Sequence, residues 1–284
     1  MTSAYTELRR RDIFMWCFDL LKQGYLVVRD SDGKLDFGPA NTAWDVPWHF
    51  VVQKGVLNCQ LWSKVMFNEI FKKVSPKIRK DKVWVPSGCQ NCWKVVARPK
   101  TLKQLIATVD LQKRLGWHAK CGIEHRAHVF GLYGAYWYSR SLQQGLDCYK
   151  LVRQAYDNDP LLGPDIDVIL KRGCTEMEMT AGPSSQYEVT PEQREVESLI
   201  YENFNTDIVN RRQPPHAIDY VHARWIEYAY QWGDPTVFEF LEDGKAPFPE
   251  LVTYNHLADA TPQEAKAFFE AANTGQPGKE LKDV

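Results

Sequence analysis

Four of the seven cysteines stand where they could bind a metal. Cys89 and Cys92 form a CxxC pair, and Cys121 and Cys174 follow as single residues next to glycines. Thiolates are soft ligands, and four of them complete a tetrahedral zinc site or supply one ligand to each iron of a [4Fe–4S] cluster. The sequence therefore predicts a metal site that is made by these four residues.

The spacing of the four cysteines favours a cluster over zinc. Zinc sites with four sulfurs commonly use two close cysteine pairs, whereas this chain has one pair and two ligands that are far apart in the sequence. We therefore expect a [4Fe–4S] cluster, with zinc as the alternative cofactor and buried thiols without metal as the third possibility. Cys17, Cys59 and Cys148 lie in apolar helical patterns and are expected to pack in the core. Cys148 is the replacement if one of the four is not a ligand.

A second group of polar residues follows the single cysteines. Glu124, His125 and Glu176 are weak candidates for catalysis, because carboxylates and imidazoles can transfer protons beside a cluster. In a strand, however, Glu124 and Arg126 would share one face and His125 would occupy the other, so a turn or surface role is favoured. The CxxxCxxC motif of radical S-adenosylmethionine enzymes and the GxGxxG and GxxxxGK[ST] loops of nucleotide-binding proteins are absent. Whether the protein is an enzyme stays open.

Charge is distributed unevenly along the chain. Residues 64–126 carry fifteen Lys or Arg against four Asp or Glu, a net charge of +11, whereas residues 175–284 carry eight against twenty, a net charge of −12. A basic segment with interspersed tryptophans can bind phosphates and stack on bases. The sequence therefore indicates nucleic acid or another anionic partner for residues 64–126, or attraction between the two halves, and a possible protein partner for the acidic region.

Predicted helices and strands alternate around the cysteines. A hydroxyl residue followed three positions later by Gln or Glu predicts helices that start after Thr101, Ser141, Thr190 and Thr261. Strands are predicted at 93–98, 120–125, 133–138 and 166–171. The order β-α-β-β-α-β predicts an α+β, ferredoxin-like core with a mostly helical C-terminal extension. The alternative is a doubly wound α/β sheet in which residues 130–138 are a loop.

The predicted topology also tests the cysteine set. In a ferredoxin-like sheet the last strand pairs antiparallel with the first, which would bring Cys174 beside Cys89 and Cys92. Cys121 comes early in the second strand, on the far side of the sheet. It is therefore the weakest member of the set.

Composition and the positions of glycine and proline divide the chain into regions. The 284 residues are 44% hydrophobic, which is typical of a globular protein with a substantial core. We expect four regions: 1–82 with a helix over 3–23, a hairpin over 25–37 and a helix over 59–73; the cysteine-bearing core 83–180; an acidic helical region 181–272; and a flexible tail 273–284. The apolar stretch 13–21 contains Asp19 and is interpreted as an amphipathic helix rather than a signal peptide. An odd number of cysteines favours a reducing cytoplasm, and no membrane partner is expected.

Overall fold

The computed structural model describes residues 85–203 and 213–241, residues 47–52, and parts of the segment 11–37. Near the N-terminus, strands β1 (Leu26–Val28) and β2 (Leu35–Phe37) pair antiparallel, which confirms the predicted hairpin. Most of the described residues between 11 and 23 are helical, in agreement with the prediction for 3–23. The helices predicted over 59–73 and after Thr261, and the predicted tail, lie outside the described residues.

A five-stranded antiparallel sheet forms the centre of the molecule. Its strands are β3 (Trp48–Val52), β4 (Trp93–Ala97), β5 (Ala119–Ile123), β6 (Tyr133–Ser139) and β7 (Val168–Arg172). They lie in the order β3-β5-β6-β4-β7, and every neighbouring pair is antiparallel. The doubly wound alternative is wrong, because such a sheet is parallel and because residues 133–139 form a central strand instead of a loop.

Helices connect and follow these strands. They are α1 (Ser87–Gln90), α2 (Leu102–Leu115), α3 (Leu142–Asp157), α4 (Thr175–Ala181), α5 (Pro191–Asn203) and α6 (Pro215–Gln231), with 3-10 turns at Ser184–Gln186 and Pro235–Phe240. Three predicted caps are confirmed: the hydroxyls of Thr101, Ser141 and Thr190 accept hydrogen bonds from backbone amides three residues later, at 3.2, 3.2 and 3.3 Å.

The main core lies between one face of the sheet and helices α2, α3 and α6. Its largest fully buried side chains include Trp137 on β6, Tyr156 on α3 and Trp225 on α6. Because Trp225 belongs to this core, the acidic region beyond residue 180 packs against the cysteine-bearing sheet. Among the described residues, no helix is both long and apolar enough to cross a membrane.

The opposite face of the sheet carries a smaller cluster. Trp48 and Phe50 of β3, Val96 of β4 and Tyr136 of β6 are all less than a tenth exposed and pack together. Tyr136 is therefore a packing residue on this face rather than an open stacking platform. The cluster leaves the neighbouring part of the face, across β4 and β7, open to solvent as a pocket.

Strand β3 is an edge strand that the sequence did not predict. It pairs with β5, where Gly122 lies so close to Pro47 that a Cβ atom would stand 1.7 Å from the Pro47 carbonyl oxygen. Only glycine fits at that position. The outer edge of β3 is covered by Gln213, whose side chain accepts from the Phe50 amide and donates to the Trp48 carbonyl.

A pair of histidines links β3 to α6. His49 is 2% exposed, and its Nδ1 lies 3.2 Å from Nε2 of His222. Burial, followed by the charges of His222 and Lys113, lowers the pKa of His49 to about 4. Burial and the charge of Lys113 also lower the pKa of His222, against a weaker opposite effect of Asp219 and Asp110. Both rings are therefore neutral in the folded protein at neutral pH.

We expect this pair to make the protein acid-sensitive. The unfolded chain binds a proton at each histidine below about pH 6.5, whereas folded His49 resists protonation until about pH 4. The stabilisation is thus complete above about pH 6.5 and falls by about 3 kcal/mol for His49 as the pH approaches 4. Urea unfolding at several pH values in this range measures the change in the free energy of unfolding.

His49→Gln should flatten that pH dependence, whereas His125→Gln, which changes an exposed histidine, should leave it as in the wild type. If the free energy of unfolding changes with pH in the same way in His49→Gln and in the wild type, another group causes the acid sensitivity.

Candidate metal site and basic pocket

Three of the four predicted cysteine ligands meet at one end of the sheet. Cys89 lies in α1 and Cys92 directly before β4, while Cys174 follows β7. Trp93 and Arg172 are partners in the β4–β7 ladder, and beyond them the Gly173 amide donates to the Cys92 carbonyl at 2.8 Å. The ladder therefore places the two cysteine-bearing segments side by side.

Gly173 makes the turn that brings Cys174 back towards the pair. Its φ is 69°, in the left-handed region that favours glycine. A Cβ atom at this position would also lie 3.4 Å from the Ser184 side chain. The turn between β7 and α4 thus requires glycine at position 173.

The three thiols lie in each other's electrostatic field. Burial raises the pKa of Cys89 well above its usual value, and the charges of Cys174 and Cys92 raise it further. Burial also raises the pKa of Cys92 to about 11, and Cys174 adds to this effect while Lys94 opposes it. Without a metal, the Cys89 and Cys92 thiols are thus protonated at neutral pH, and binding a metal would release their protons.

Lys94 supplies positive charge to this group of thiols. It lies on β4, its side chain is largely buried, and its ammonium Nζ donates to Sγ of Cys174 at 3.2 Å. A cation beside a thiol stabilises the thiolate, which is the form that binds a metal.

Helix α5 holds the CxxC turn in place. The buried carboxylate of Glu197 accepts hydrogen bonds from the backbone amide of Ser87, at 2.9 Å, and from the Ser87 hydroxyl. Gln193 donates to Glu197 at 2.7 Å and to the Val85 carbonyl at 2.6 Å. On the other side, Arg172 donates to the Gln90 carbonyl at 2.8 Å. The turn is thus positioned by a network rather than by its own four residues.

Tyr187 lies near the thiols, and its hydroxyl has no hydrogen-bond partner among the described residues. The side chain is 8% exposed, and its oxygen is one of five buried polar side-chain atoms without a partner among the described residues. Burial raises the pKa of Tyr187 to about 12, with further contributions from Glu178, Cys174 and Cys89. A buried donor without an acceptor is costly, so this hydroxyl is available to donate to a group beside it.

Cys121 lies apart from these three residues. It is fully buried in the main core, in the middle of β5 and opposite Ala135 of β6. Cys92 lies next to the strand position opposite Ser139, so Cys121 is separated from it by roughly 15 Å along the strands as well as by β6. The structure therefore does not bring Cys121 together with the other three predicted ligands, because the second strand runs through the core instead of folding back towards the site. Cys121 is a packing residue.

The other described cysteines do not replace it. Cys148 lies on α3 and is 1% exposed in the core, and Cys17 is also buried, while Cys59 lies outside the described residues. Within the described part of the chain, no three His, Cys, Asp or Glu side chains are arranged to hold a single metal ion. The geometry therefore offers three neighbouring thiols and not a closed tetrahedral site.

A pocket of about 210 Å³ opens on the sheet face beside the thiols. Its lining includes the residues that we call the basic pocket: Lys94, Arg98, Arg126, His128, Lys171 and Glu176. Lys94 belongs to both places, because its ammonium contacts Cys174 and the residue also lines the pocket. None of the three cysteines is among the lining residues, so Lys94 is the link between the two places.

The weak catalytic candidates divide around this pocket. Glu124 is 3% exposed and accepts hydrogen bonds from Arg126 and, at 2.9 Å, from the Tyr136 hydroxyl. Although burial alone would raise its pKa, Arg126 and Tyr136 hold it below the ordinary value, so Glu124 is an anchor for Arg126 and not a base. Glu176 forms an ion pair with Arg126 and lies 3.7 Å from Nε2 of His128. His125 is exposed and does not line the pocket.

The pocket could not be predicted from the sequence, because its residues come from several separate parts of the chain. β4, β6, β7 and the start of α4 supply one part of the lining, and the loop 124–132 supplies the rest. The alternation of Lys94, Val96 and Arg98 was the available signal, since it sets a basic face against the apolar face of Val95 and Ala97.

Comparisons with protein-family models, with curated proteins and with solved structures found no significant match to this chain.

Proposed function

We propose that the protein binds an iron–sulfur cluster through Cys89, Cys92 and Cys174. The observation that carries this proposal is the meeting of three thiols, a buried lysine and a tyrosine hydroxyl without a partner at one end of the sheet. Soft thiolates on a CxxC turn and on a second segment are the donor set of such clusters. A reducing cytoplasm suits these thiols, and none of the described cysteines forms a disulfide.

The donor set fits a [4Fe–4S] cluster better than it fits zinc. Zinc needs four ligands that converge on one point, and the described residues contain no group that is arranged for a single ion. A cluster presents separate irons to separate thiols, so its ligands need not converge in this way. When bound, the cluster supplies one-electron redox chemistry or a structural link between β4 and β7.

The surrounding residues have roles that follow from their contacts. Lys94 offsets the negative charge of the thiolates, and Tyr187 can donate its free hydrogen to a sulfur atom in the site. Hydrogen bonds to sulfur raise the reduction potential of such sites. Glu197 and Gln193 fix the CxxC turn, so the thiols are positioned before the metal arrives.

Anaerobic purification tests the proposal. We expect a brown protein with stoichiometric iron and acid-labile sulfide, and a broad visible absorbance that dithionite bleaches. A colourless chain that contains zinc, or one that takes up no iron during anaerobic reconstitution, would overturn it. Circular dichroism of the same samples shows whether the protein is folded.

A cluster-dependent enzyme is the second candidate function, and the specific observation in its favour is the number of thiols. Among the described cysteines, three ligands leave one iron of a [4Fe–4S] cluster without a cysteine, and the basic pocket lies on the face of the sheet that carries Lys94. Addition of cyanide should then change the electron paramagnetic resonance spectrum of the reduced protein. An unchanged spectrum would count against an open iron and leave a structural or redox role.

We also infer that the core is a ferredoxin-like unit. In support, β4-α2-β5-β6-α3-β7 follow each other along the chain, and the four strands lie in the order β7-β4-β6-β5. β4 and β5 are each antiparallel to β6 and hence parallel to each other, as in a split βαβ arrangement. β3 would then be an addition at the edge of this unit.

A further inference from the structure

We propose that the basic pocket binds the phosphate group of a nucleotide whose base stacks on Phe130. This ligand site lies beside the cysteine site and shares Lys94 with it, but none of the three cysteines lines it. The shared chemistry of its ligand is a phosphate next to an aromatic base. A free nucleotide and the phosphorylated end of a nucleic acid strand both carry that chemistry.

Positive charge lines the pocket on several sides. Lys94 and Lys171 come from neighbouring strands, Arg98 follows β4, and Arg126 and His128 come from the loop opposite. Glu176 is the single carboxylate in the lining. Lys171 also pairs with Glu178 at 2.8 Å. The four Lys and Arg side chains in the lining nevertheless outnumber its one carboxylate, so the pocket attracts an anion, and several donors from different elements can meet the oxygens of one phosphate.

Glu176 already occupies the place of an anion. Its carboxylate forms an ion pair with Arg126 and lies 3.7 Å from Nε2 of His128. Its side chain is 44% exposed, so it can move away into solvent when another anion arrives. Arg126 stays oriented during such an exchange, because the buried Glu124 carboxylate holds its other side.

The size of the pocket limits what enters it. Sites for drug-sized ligands have volumes of about 300–1,000 Å³, and this one has about 210 Å³. It therefore takes a compact group such as phosphate, and the rest of the ligand must lie outside, along the rim.

Phe130 provides a surface for that remaining part. It lines the pocket at its rim and is 77% exposed, the largest exposed fraction among the large hydrophobic side chains in the described part of the chain. The Arg98 guanidinium lies 5.6 Å from the centre of its ring. An aromatic ring held by a cation beside an anion site can stack on a base, and such stacking tolerates every base.

Calorimetric titration of the purified full-length chain tests the site with defined probes. Adenosine monophosphate should bind at least about ten-fold more tightly than ribose 5-phosphate, since base stacking typically contributes this much. Phe130→Ala should abolish the difference and leave ribose 5-phosphate binding unchanged. Lys171→Met should weaken both probes about ten-fold through the lost charge, whereas Glu176→Gln should strengthen both by removing the competing carboxylate.

Lys150→Met is the matched control, because it removes an exposed lysine of α3, on the other face of the sheet. A 5′-phosphorylated RNA oligonucleotide that binds more tightly than adenosine monophosphate identifies a strand end as the ligand, and weaker binding identifies a free nucleotide. Absence of saturable binding by every phosphate probe would overturn the proposal, as would binding that Lys171→Met and Glu176→Gln leave unchanged. Measured on the purified chain before anaerobic reconstitution, the affinity tests the pocket without a bound cluster, so failure of this proposal is distinguishable from failure of the proposed function.

Discussion

Cys174→Ala is expected to lose its iron and sulfide, whereas Cys121→Ala keeps both. Cys174 caps the start of α4 without any side-chain hydrogen bond to that helix, so the substitution removes the proposed ligand and its hydrogen bond from Lys94. Cys121 is fully buried in the core, and its truncation should cost roughly 1–2 kcal/mol of stability. We therefore expect Cys174→Ala to lower the iron content, and Cys121→Ala to lower the free energy of unfolding without changing the iron content.

The same measurement extends to the other cysteines. Cys89→Ala and Cys92→Ala should lose iron as Cys174→Ala does, while Cys148→Ala should keep it as a second core control. Urea unfolding of each reconstituted variant separates ligand loss from misfolding. Iron loss in Cys121→Ala with iron retention in Cys174→Ala would refute the three-thiol site.

Asp234→Ala is expected to destabilise the fold by about 3–5 kcal/mol, since it leaves several buried donors without an acceptor. The Asp234 carboxylate is buried and accepts from the Leu102 amide at 2.5 Å and from the Tyr133 hydroxyl at 2.9 Å. Its other oxygen accepts from the amide and the hydroxyl of Thr236. One side chain thus joins the first turn of α2, strand β6 and the 3-10 turn after α6.

Urea unfolding at neutral pH measures this effect. Tyr133→Phe removes one of the four hydrogen bonds and should cost about 1 kcal/mol. Asp157→Ala removes an exposed carboxylate that pairs with Arg153 on α3 and should cost less than about 1 kcal/mol. A loss below about 1 kcal/mol for Asp234→Ala would show that water replaces these bonds.

The local features of the fold could be predicted because their causes are local. Thr101, Ser141 and Thr190 cap helices through amides only three residues away, and the alternation of apolar residues marks β4 to β7. The neighbourhood of Cys92 and Cys174 followed from the pairing of the first and last core strands, which is observed.

The remaining features depend on contacts between distant parts of the chain. β3 is stabilised at the edge of the sheet by Gln213, which lies more than 160 residues away. Asp234 caps α2 across 132 residues. Cys121 was misplaced because glycine and lysine neighbours suggested a ligand, whereas its strand position decides its burial. Neither burial nor distant partners can be read from spacing alone.

Lys94 has a consequence for the two sites together. Its single ammonium group contacts Cys174 and also lines the pocket in which a phosphate would lie. A negative charge on either side competes for the same cation, so occupancy of one site must change the free energy of the other by an equal amount in both directions. Phosphate binding should therefore lower the reduction potential of a cluster held by the thiols, and reduction of that cluster should weaken phosphate binding.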